Sequence, residues 1–408
     1  MEEEKNENIR CPVCNGESTI IVYQNPKQPI FSQGLVPKKT KIFMKKKKLS
    51  ISFCSQCNHV FSTSRDLSEL DELYKKFYTY IPSNLSRVDI DFKKELAQFL
   101  TSRCRKGRVL EIGSHDGYFL HLLNMFGWKC EGIDPSPASE VAMEKYSLKI
   151  LKEYFSSKFY DQKFDLVVLR HILEHVDDPI SFILDIKNVL KERGYIFVEV
   201  PNLMKSIKER NYHDFYFEHL SYFTPPLLKN LLINCGFNIT EVMTIRNDEV
   251  ICCLSKNTTN SKKLRKQDIA RALKKNRNDL TLFKELTQFS EESKTLKEIL
   301  SFIHKSLAKR ERWVVWGAGA AGINLISSLG LTEKEIEFAV DSDRNKWGRF
   351  LPGSGLRVYS PKLIKEKTIH VVFIISNLYQ NEIKENLKWF VKKGGKLVGL
   401  HPTFGYIS

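Results

Sequence analysis

The feature that most constrains this chain is a short apolar run that ends in a glycine loop, because it occurs twice. Arg108-Val-Leu-Glu-Ile112 leads straight into Gly113-Ser-His-Asp-Gly117, and Trp313-Val-Val-Trp316 leads into Gly317-Ala-Gly-Ala-Ala-Gly322. Glycines at such a turn let backbone N–H groups come close to a ligand at the start of a helix. A strand that turns at once into a helix is the first half of a βαβ unit, and such units build a parallel sheet with helices on both faces. After the first loop, Cys130-Glu-Gly-Ile133, Phe164-Asp-Leu-Val-Val-Leu169 and Tyr195-Ile-Phe-Val-Glu-Val200 read as strands with helical patterns between them. After the second, Ile336-Glu-Phe-Ala-Val340 and Val371-Val-Phe-Ile-Ile375 do the same.

Two α/β domains are therefore expected, and the remaining segments divide around them. Residues 71 to about 100 read as helical arms with a break at Ile81-Pro82-Ser83-Asn84, leading into the first α/β domain over 71–255. A polar stretch near Ser255 opens a linker over 256–310. There Ile269, Leu273, Leu286, Phe289, Leu296, Ile299, Leu300, Ile303 and Leu307 recur at helical spacing, giving an amphipathic helical segment. The second α/β domain covers 311–408. Residues 1–70 form a separate module defined by cysteines.

Of nine cysteines, four come as two pairs, Cys11-Pro-Val-Cys14 and Cys54-Ser-Gln-Cys57. Two C-x-x-C knuckles can hold four thiolates around one Zn²⁺, and four protein ligands make a closed, structural site. The insert between the pairs, residues 15–53, is longer than the usual spacing and must form its own hairpin or loop. It carries Lys38, Lys39, Lys41 and Lys45 to Lys48, either a basic nucleic-acid face or simply a solvated hairpin face. The formal net charge of +16 points the same two ways, to an anionic partner or to a lysine-rich surface. The N-terminus, MEEEKNENIR, has no apolar segment of a secretory signal, and no apolar run reaches the length of a membrane span, so a cytoplasmic, non-membrane protein is expected.

The first glycine loop has further company. An acidic residue, Glu111, precedes Gly113, Asp116 and Gly117, and the next strand ends at Asp134, where a carboxylate can accept hydrogen bonds from ribose hydroxyls. The E-x-G-x-x-x-G pattern resembles motif I of class I S-adenosylmethionine (SAM) methyltransferases. The run His171-Ile-Leu-Glu-His175 after the next strand resembles their later x-x-L-x-H segment. This resemblance implies a Rossmann-like SAM domain with Glu111, Gly113, Asp116, Gly117 and Asp134 around the cofactor. Packing at a helix start is the plainer reading of His171 and His175.

Tyr212-His-Asp-Phe-Tyr-Phe-Glu-His-Leu-Ser-Tyr222 crowds titratable and phenolic groups too densely for an ordinary core segment. It resembles the Tyr-His-Glu-His-x-Ser-Tyr signature of the nucleotide-sugar C-methyltransferases, with Phe217 standing at the signature's first histidine. That family has an N-terminal four-cysteine zinc module, a central SAM domain and a C-terminal α/β domain. Its later motifs resemble Gly317 to Gly322, Asp341 with Asp343, Gly348-Arg-Phe-Leu-Pro-Gly353, and Ser376-Asn377-x-Tyr379. The resemblance implies C-methylation of a nucleotide-linked keto-deoxysugar. A base removes the proton next to the carbonyl and the resulting carbanion takes the SAM methyl. Carried onto this chain, it implies His219 as base, Glu218 orienting it, Tyr216 near the keto oxygen and His175 near the substrate. Tyr78, Tyr222, Gly317, Gly319, Gly322, Asp341 and Asn377 are implied to bind the nucleotide sugar. Cys11, Cys14, Cys54 and Cys57 are implied to hold a structural Zn²⁺.

Read from its residues alone, Gly317-x-Gly-x-x-Gly322 followed by Asp341 is the fingerprint of NAD binding, with the acidic residue roughly 20 positions on. An NAD site, a nucleotide-sugar platform and a plain packing turn all remain open for it. A nucleic-acid methyltransferase with a basic zinc knuckle is a competing class, weakened by the lack of an Asn-Pro-Pro-Tyr-type or cysteine-nucleophile motif. The sequence leaves open the sugar, the methylated carbon and the oligomeric state.

Overall fold

The structure, a computed structural model, describes residues 9–32, 34–64, 87–258, 264–274, 280–291, 294–376, 379–400 and 404–407. Thr19–Pro29 (β1) and Lys46–Cys54 (β2) form an antiparallel ladder running from the Thr19/Cys54 pair to the Pro29/Lys46 pair, so the long insert between the cysteine pairs is a hairpin. Val60–Ser62 (β3) adds to β2. The fourth strand of this sheet comes from far along the chain, and its insertion is described below.

The central sheet begins with Arg108–Ile112 (β4), Lys129–Ile133 (β5), Lys149–Leu151 (β6), Phe164–Arg170 (β7) and Leu190–Pro201 (β8), all parallel. Ser221–Tyr222 (β9) leaves this domain. Phe237–Ile245 (β10) and Val250–Asn257 (β11) return as an antiparallel hairpin against β8. The order is β10-β11-β8-β7-β4-β5-β6, so chain direction across the sheet reverses between β4 and β7. Alternate residues of the buried strands feed two cores. Leu110, Ile112, Val167 and Leu169 pack with the helices Pro179–Val189 and Pro225–Asn234. Val109, Leu166, Val168 and Phe197 pack with Arg87–Arg103 and Tyr118–Met125.

The linker pattern resolves into helices Lys266–Leu273, Leu280–Glu291 and Lys294–Leu307. Their apolar faces go to different places. Ile269 and Leu273 join the central core, Leu286 and Phe289 pack on the N-terminal hairpin, and Ile299 and Ile303 cover the last sheet. That sheet contains Trp313–Trp316 (β12), Ile336–Val340 (β13), Val358–Tyr359 (β14), Val371–Ile374 (β15), Lys396–Gly399 (β16) and Gly405–Tyr406 (β17). Its order is β14-β13-β12-β15-β16-β17, with the reversal between β12 and β15. In open α/β sheets, ligands bind beyond the carboxyl ends of the strands at such a reversal. No helix among the described residues is long and apolar enough to cross a membrane.

Three kinds of contact clamp the parts together. The β9 residues pair with β3 (Val60 opposite Tyr222, Phe61 opposite Ser221), so the cysteine module's sheet is completed by a strand of the Tyr212–Tyr222 segment. Val36 and Phe350 exchange backbone hydrogen bonds of 3.0 and 2.8 Å, and the Gly353 N–H donates to the Phe43 carbonyl at 2.9 Å. The Gly348–Gly353 motif is thus a contact with the N-terminal module. A buried amide cluster completes the clamp. The Gln28 amide donates to the Phe215 carbonyl at 3.0 Å and to Asn324 Oδ1 at 2.7 Å, while Asn25 Nδ2 donates to Ser328 Oγ at 2.7 Å.

Candidate active site

Beyond β4 the chain turns at Gly113 with φ of +73°, a left-handed conformation. A Cβ there would lie 2.1 Å from Ile172 Cδ1, so only glycine fits beneath the segment that follows β7. Gly117 (φ +70°) starts the helix Tyr118–Met125. Above this loop lies a cavity of about 460 Å³ lined in part by Glu111, Gly113, Asp116, Asp134, Arg170 and His171. Glu111 Oε2 and Ser114 Oγ are buried without a hydrogen-bond partner among the described residues, as expected of groups that wait for a ligand. Burial pushes the Glu111 carboxyl up to about 8. Asp134 lines the same cavity, and its carboxylate also accepts from the His115 and Ser136 N–H groups at 2.8 Å each, which fixes the loop around it.

Arg170 and Glu199, which no sequence motif singles out, pair with each other beside His171 at this cavity. Arg170 Nε donates to Glu199 Oε2 at 2.8 Å, and Arg170 Nη1 stands 4.0 Å from Glu111 Oε1. His171, at φ +53°, bridges Glu199 Oε1 (3.0 Å) and Glu174 Oε1 (3.3 Å), and these carboxylates raise the imidazole to about 9. Burial opposes that rise but does not overcome it.

A second cavity, of about 290 Å³, adjoins the first. Pro201, His171, Tyr216 and His219 line both. Tyr222, His213, Asp214, Lys205 and Arg246 add the central domain's share of the second wall, and Ala321, Ile375 and Ser376 add the C-terminal domain's share. Ala320 reaches the first cavity. The reversal points of both sheets thus face one cleft: the loops after β4 and β7 from one side, those after β12 and β15 from the other.

His219 is buried, which holds its imidazole well below the usual histidine range, helped by nearby His175 and His171. Its ring stands edge-on to Tyr216 (centroids 4.5 Å) and to His175 (4.9 Å). His175 Nδ1 lies 2.9 Å from the Glu218 carbonyl. Because a carbonyl only accepts, Nδ1 carries a proton and Nε2 is the nitrogen left to face other groups. Tyr222 OH donates to the Tyr216 carbonyl at 3.2 Å. Burial also raises the Tyr216 phenol well above its usual value.

Glu218 sits differently from the expectation that it orients His219. Its carboxylate accepts from the Ser32 N–H and from the Ser32 hydroxyl (2.7 Å), so it ties the loop to the N-terminal module. The His219 ring packs against the rings of Tyr216, His175 and Tyr222. The reason is topological: β9 carries this segment into the other sheet, which brings Ser32 to Glu218.

The second glycine loop also differs from a ligand cradle. A Cβ on Gly322 would lie 2.0 Å from the Gly317 carbonyl oxygen, so that glycine serves the turn itself. Asp341 accepts from the Ala318 N–H (2.9 Å), the Asp343 N–H (2.9 Å) and Lys346 Nζ (2.8 Å). Asp341 braces its loop and is paired with the Lys346 ammonium, and Gly317, Gly319, Gly322 and Asp341 are absent from the lining of both cavities. Tyr78 and Asn377 lie outside the described residues.

The four paired cysteines converge. All are buried, Cys11 and Cys57 sulfurs are 3.6 Å apart, Cys14 and Cys54 likewise, and the four sulfurs lie within 4.8 Å of one another. Four thiolates at roughly 2.3 Å from Zn²⁺ stand roughly 3.8 Å apart, so the donor set fits that ion. His59 Nδ1, 3.7 Å from Cys11 Sγ, is a neighbour that the C-x-x-C spacing does not announce.

Residues 85–242 match a methyltransferase domain, and residues 249–402 match a C-methyltransferase C-terminal domain. With the sheet order and the cavity above Gly113, these matches define a SAM-dependent methyltransferase of the class I α/β fold. The later of the two matches is the C-terminal domain of C-methyltransferases. The chain is 23% identical over 375 residues to the C-methyltransferase NovU of Streptomyces niveus, covering 88% of this chain and 87% of that protein. It is 30% identical over 135 residues to a ubiquinone biosynthesis O-methyltransferase of Pasteurella multocida, 29% of this chain and 54% of that protein. Among solved structures, the N-methyltransferase NodS of Bradyrhizobium japonicum with S-adenosyl-L-homocysteine aligns over 43% of this chain and 89% of that one, at 15% identity and a TM-score of 0.35.

Proposed function

We propose that the enzyme methylates a carbon next to the carbonyl of a nucleotide-linked keto-deoxysugar, with His219 as the base. The supporting observation is that His219 and Tyr216 line both cavities, so a base and a phenol stand where a methyl donor in one would meet an acceptor in the other. SAM supplies an electrophilic methyl group on a sulfonium. The chain must supply a carbon nucleophile, which requires removing a proton made acidic by a neighbouring carbonyl. His219 is suited to this because burial keeps it neutral at pH 7 and ready to accept a proton. Tyr216 stays protonated and can donate to the oxygen on which enolate charge develops. His175, with Nδ1 fixed on the Glu218 carbonyl, offers Nε2 to the substrate. Glu218 acts by holding the loop through Ser32. Tyr222 and the C-terminal residues Ala321, Ile375 and Ser376 shape the acceptor cavity. In this reading the second glycine loop and Asp341 place that wall, and the four cysteines hold a structural Zn²⁺.

The test is mass spectrometry of a panel of keto nucleotide sugars incubated with SAM, together with exchange of the α-hydrogen in deuterated water. His219→Ala should lose about 10²–10⁴-fold in both methylation and exchange while S-adenosylhomocysteine binding is kept. Exchange that survives in this variant would remove His219 from the role of base. The pH profile adds a sign. The working form is unprotonated and the imidazole lies below its usual range, so kcat/KM should hold from neutrality through the ordinary histidine pKa of about 6.5 and fall only below it. Elemental analysis should find one zinc per chain after metal-replete expression, and protein without zinc would rule out the ion.

A further inference from the structure

Four residues line both cavities: His171, Pro201, Tyr216 and His219. Methyl transfer needs the donor sulfur, the methyl carbon and the acceptor carbon in one line at near-contact distance. A donor in the first cavity and an acceptor in the second therefore meet beside these four. Proline carries no charge. Burial keeps the Tyr216 phenol protonated and the His219 imidazole unprotonated at neutral pH. The charge at the junction is left to His171.

Packing at a helix start does not account for how His171 is held. The residue follows β7 with φ of +53°, a conformation that costs most side chains free energy, and its N–H donates to the Glu199 carbonyl at 2.9 Å. Its Nε2 stands 3.0 Å from Glu199 Oε1 and its Nδ1 3.3 Å from Glu174 Oε1, and both carboxylates are buried. A buried carboxylate is costly unless a cation pairs with it. Arg170 of β7 also pairs with Glu199 of β8, so two cations and two carboxylates balance. Neutralising His171 thus changes the charge beside the junction by a full unit. The other ionisable groups nearby are Glu111 of β4, 4.0 Å from Arg170, and the rings of His175 and His219. Lys93, Asp116 and Asp134 share the donor cavity. Burial works against the charged imidazole, yet Glu174 and Glu199 outweigh it and raise His171 to about 9.

We propose that His171 is a fixed positive charge beside the donor sulfur, and that it shifts the site's preference from the sulfonium of SAM toward the thioether product. This rests on the first cavity being the SAM site. In the transfer the S–CH3 bond breaks with its electron pair left on sulfur, and the methyl carbon takes the electron pair of the acceptor carbon. Sulfur passes from one positive charge to none. A neighbouring cation therefore raises the free energy of the bound donor and releases that repulsion as the methyl leaves. The inference does not depend on which group is the base.

The experiment is calorimetry with SAM and S-adenosylhomocysteine, which differ at sulfur by one methyl group and one positive charge. His171→Asn removes the charge with a residue that tolerates left-handed backbone. It should strengthen SAM relative to S-adenosylhomocysteine by about threefold to thirtyfold, the effect of one charge several ångströms away under partial screening. His171→Lys should keep the wild-type ratio. An unchanged ratio in His171→Asn, including equal losses for both ligands, would overturn the proposal, since the residue would then serve only the fold. A His171→Lys ratio that matches His171→Asn would assign the effect to shape and overturn it as well. The same coupling must appear in reverse in the wild-type protein, because binding linkage is reciprocal. Histidine NMR titration should give His171 a lower pKa in the SAM complex than in the S-adenosylhomocysteine complex, by the same factor in proton affinity. Equal values in the two complexes would overturn the proposal without any variant. Wild-type protein that binds neither ligand would overturn the SAM reading of the cavity itself.

Discussion

The two glycine loops begin from the same pattern and end in different roles. Each follows a buried parallel strand at the reversal of its sheet, and each has an aspartate at the end of the neighbouring strand. Under the first loop a cavity stays open, Asp134 lines it, and Glu111 and Ser114 hold unpartnered oxygens toward a ligand. Under the second, Asp341 is neutralised by Lys346 and bound to the loop it follows, and the turn closes on itself at Gly317 and Gly322. Both carboxylates accept from amides of their own loop, so what distinguishes a cradle from a wall is the Lys346 ammonium on Asp341 and the open cavity beside Asp134. Glycine spacing alone does not carry that information.

The largest expected effect tests the brace. Asp341→Ala leaves the Lys346 ammonium buried without its carboxylate, which should cost about 3–5 kcal/mol in urea unfolding of the C-terminal region. Affinity of the folded protein for S-adenosylhomocysteine should not change, and a matching loss of that affinity would break the contrast. Ligand stabilisation comes next. S-adenosylhomocysteine at about 100 times its Kd should stabilise the protein by about 2.7 kcal/mol, and NAD⁺ should not move the melting temperature at any similar concentration. A clear shift with NAD⁺ would make the second loop a cradle after all. The smallest effect sharpens the other side: Asp134→Ala should weaken S-adenosylhomocysteine by about 1–3 kcal/mol, read by calorimetry, through the loss of the loop bonds to His115 and Ser136.

Local features of the fold were legible because each is written in a few adjacent residues. The strands Trp313–Trp316 and Ile336–Val340 coincide with the apolar runs, since buried parallel strands are continuously apolar. The cysteine pairs converge as their spacing suggests. What stayed hidden joins residues distant in sequence. Ser32 meets Glu218, Gln28 meets Asn324, and Arg170 and His171 meet Glu199, each through contacts that no motif records. Glu218 was legible as a site residue, but its partner depends on β9 crossing into another sheet.

That crossing also governs how the protein can be made. Val60 and Phe61 leave the ribosome about 160 residues before Ser221 and Tyr222, the strand they pair with. At roughly 5–20 residues per second, the open edge of the cysteine module waits on the order of ten seconds for its last strand. During that interval it is an unpaired template for other chains. When the strand arrives, it brings His219 with it, because the Ser62 N–H binds the Leu220 carbonyl at 3.1 Å. The module's completion and the seating of His219 are therefore one assembly event, and a chain that fails to close its first sheet also lacks a formed wall between the two cavities.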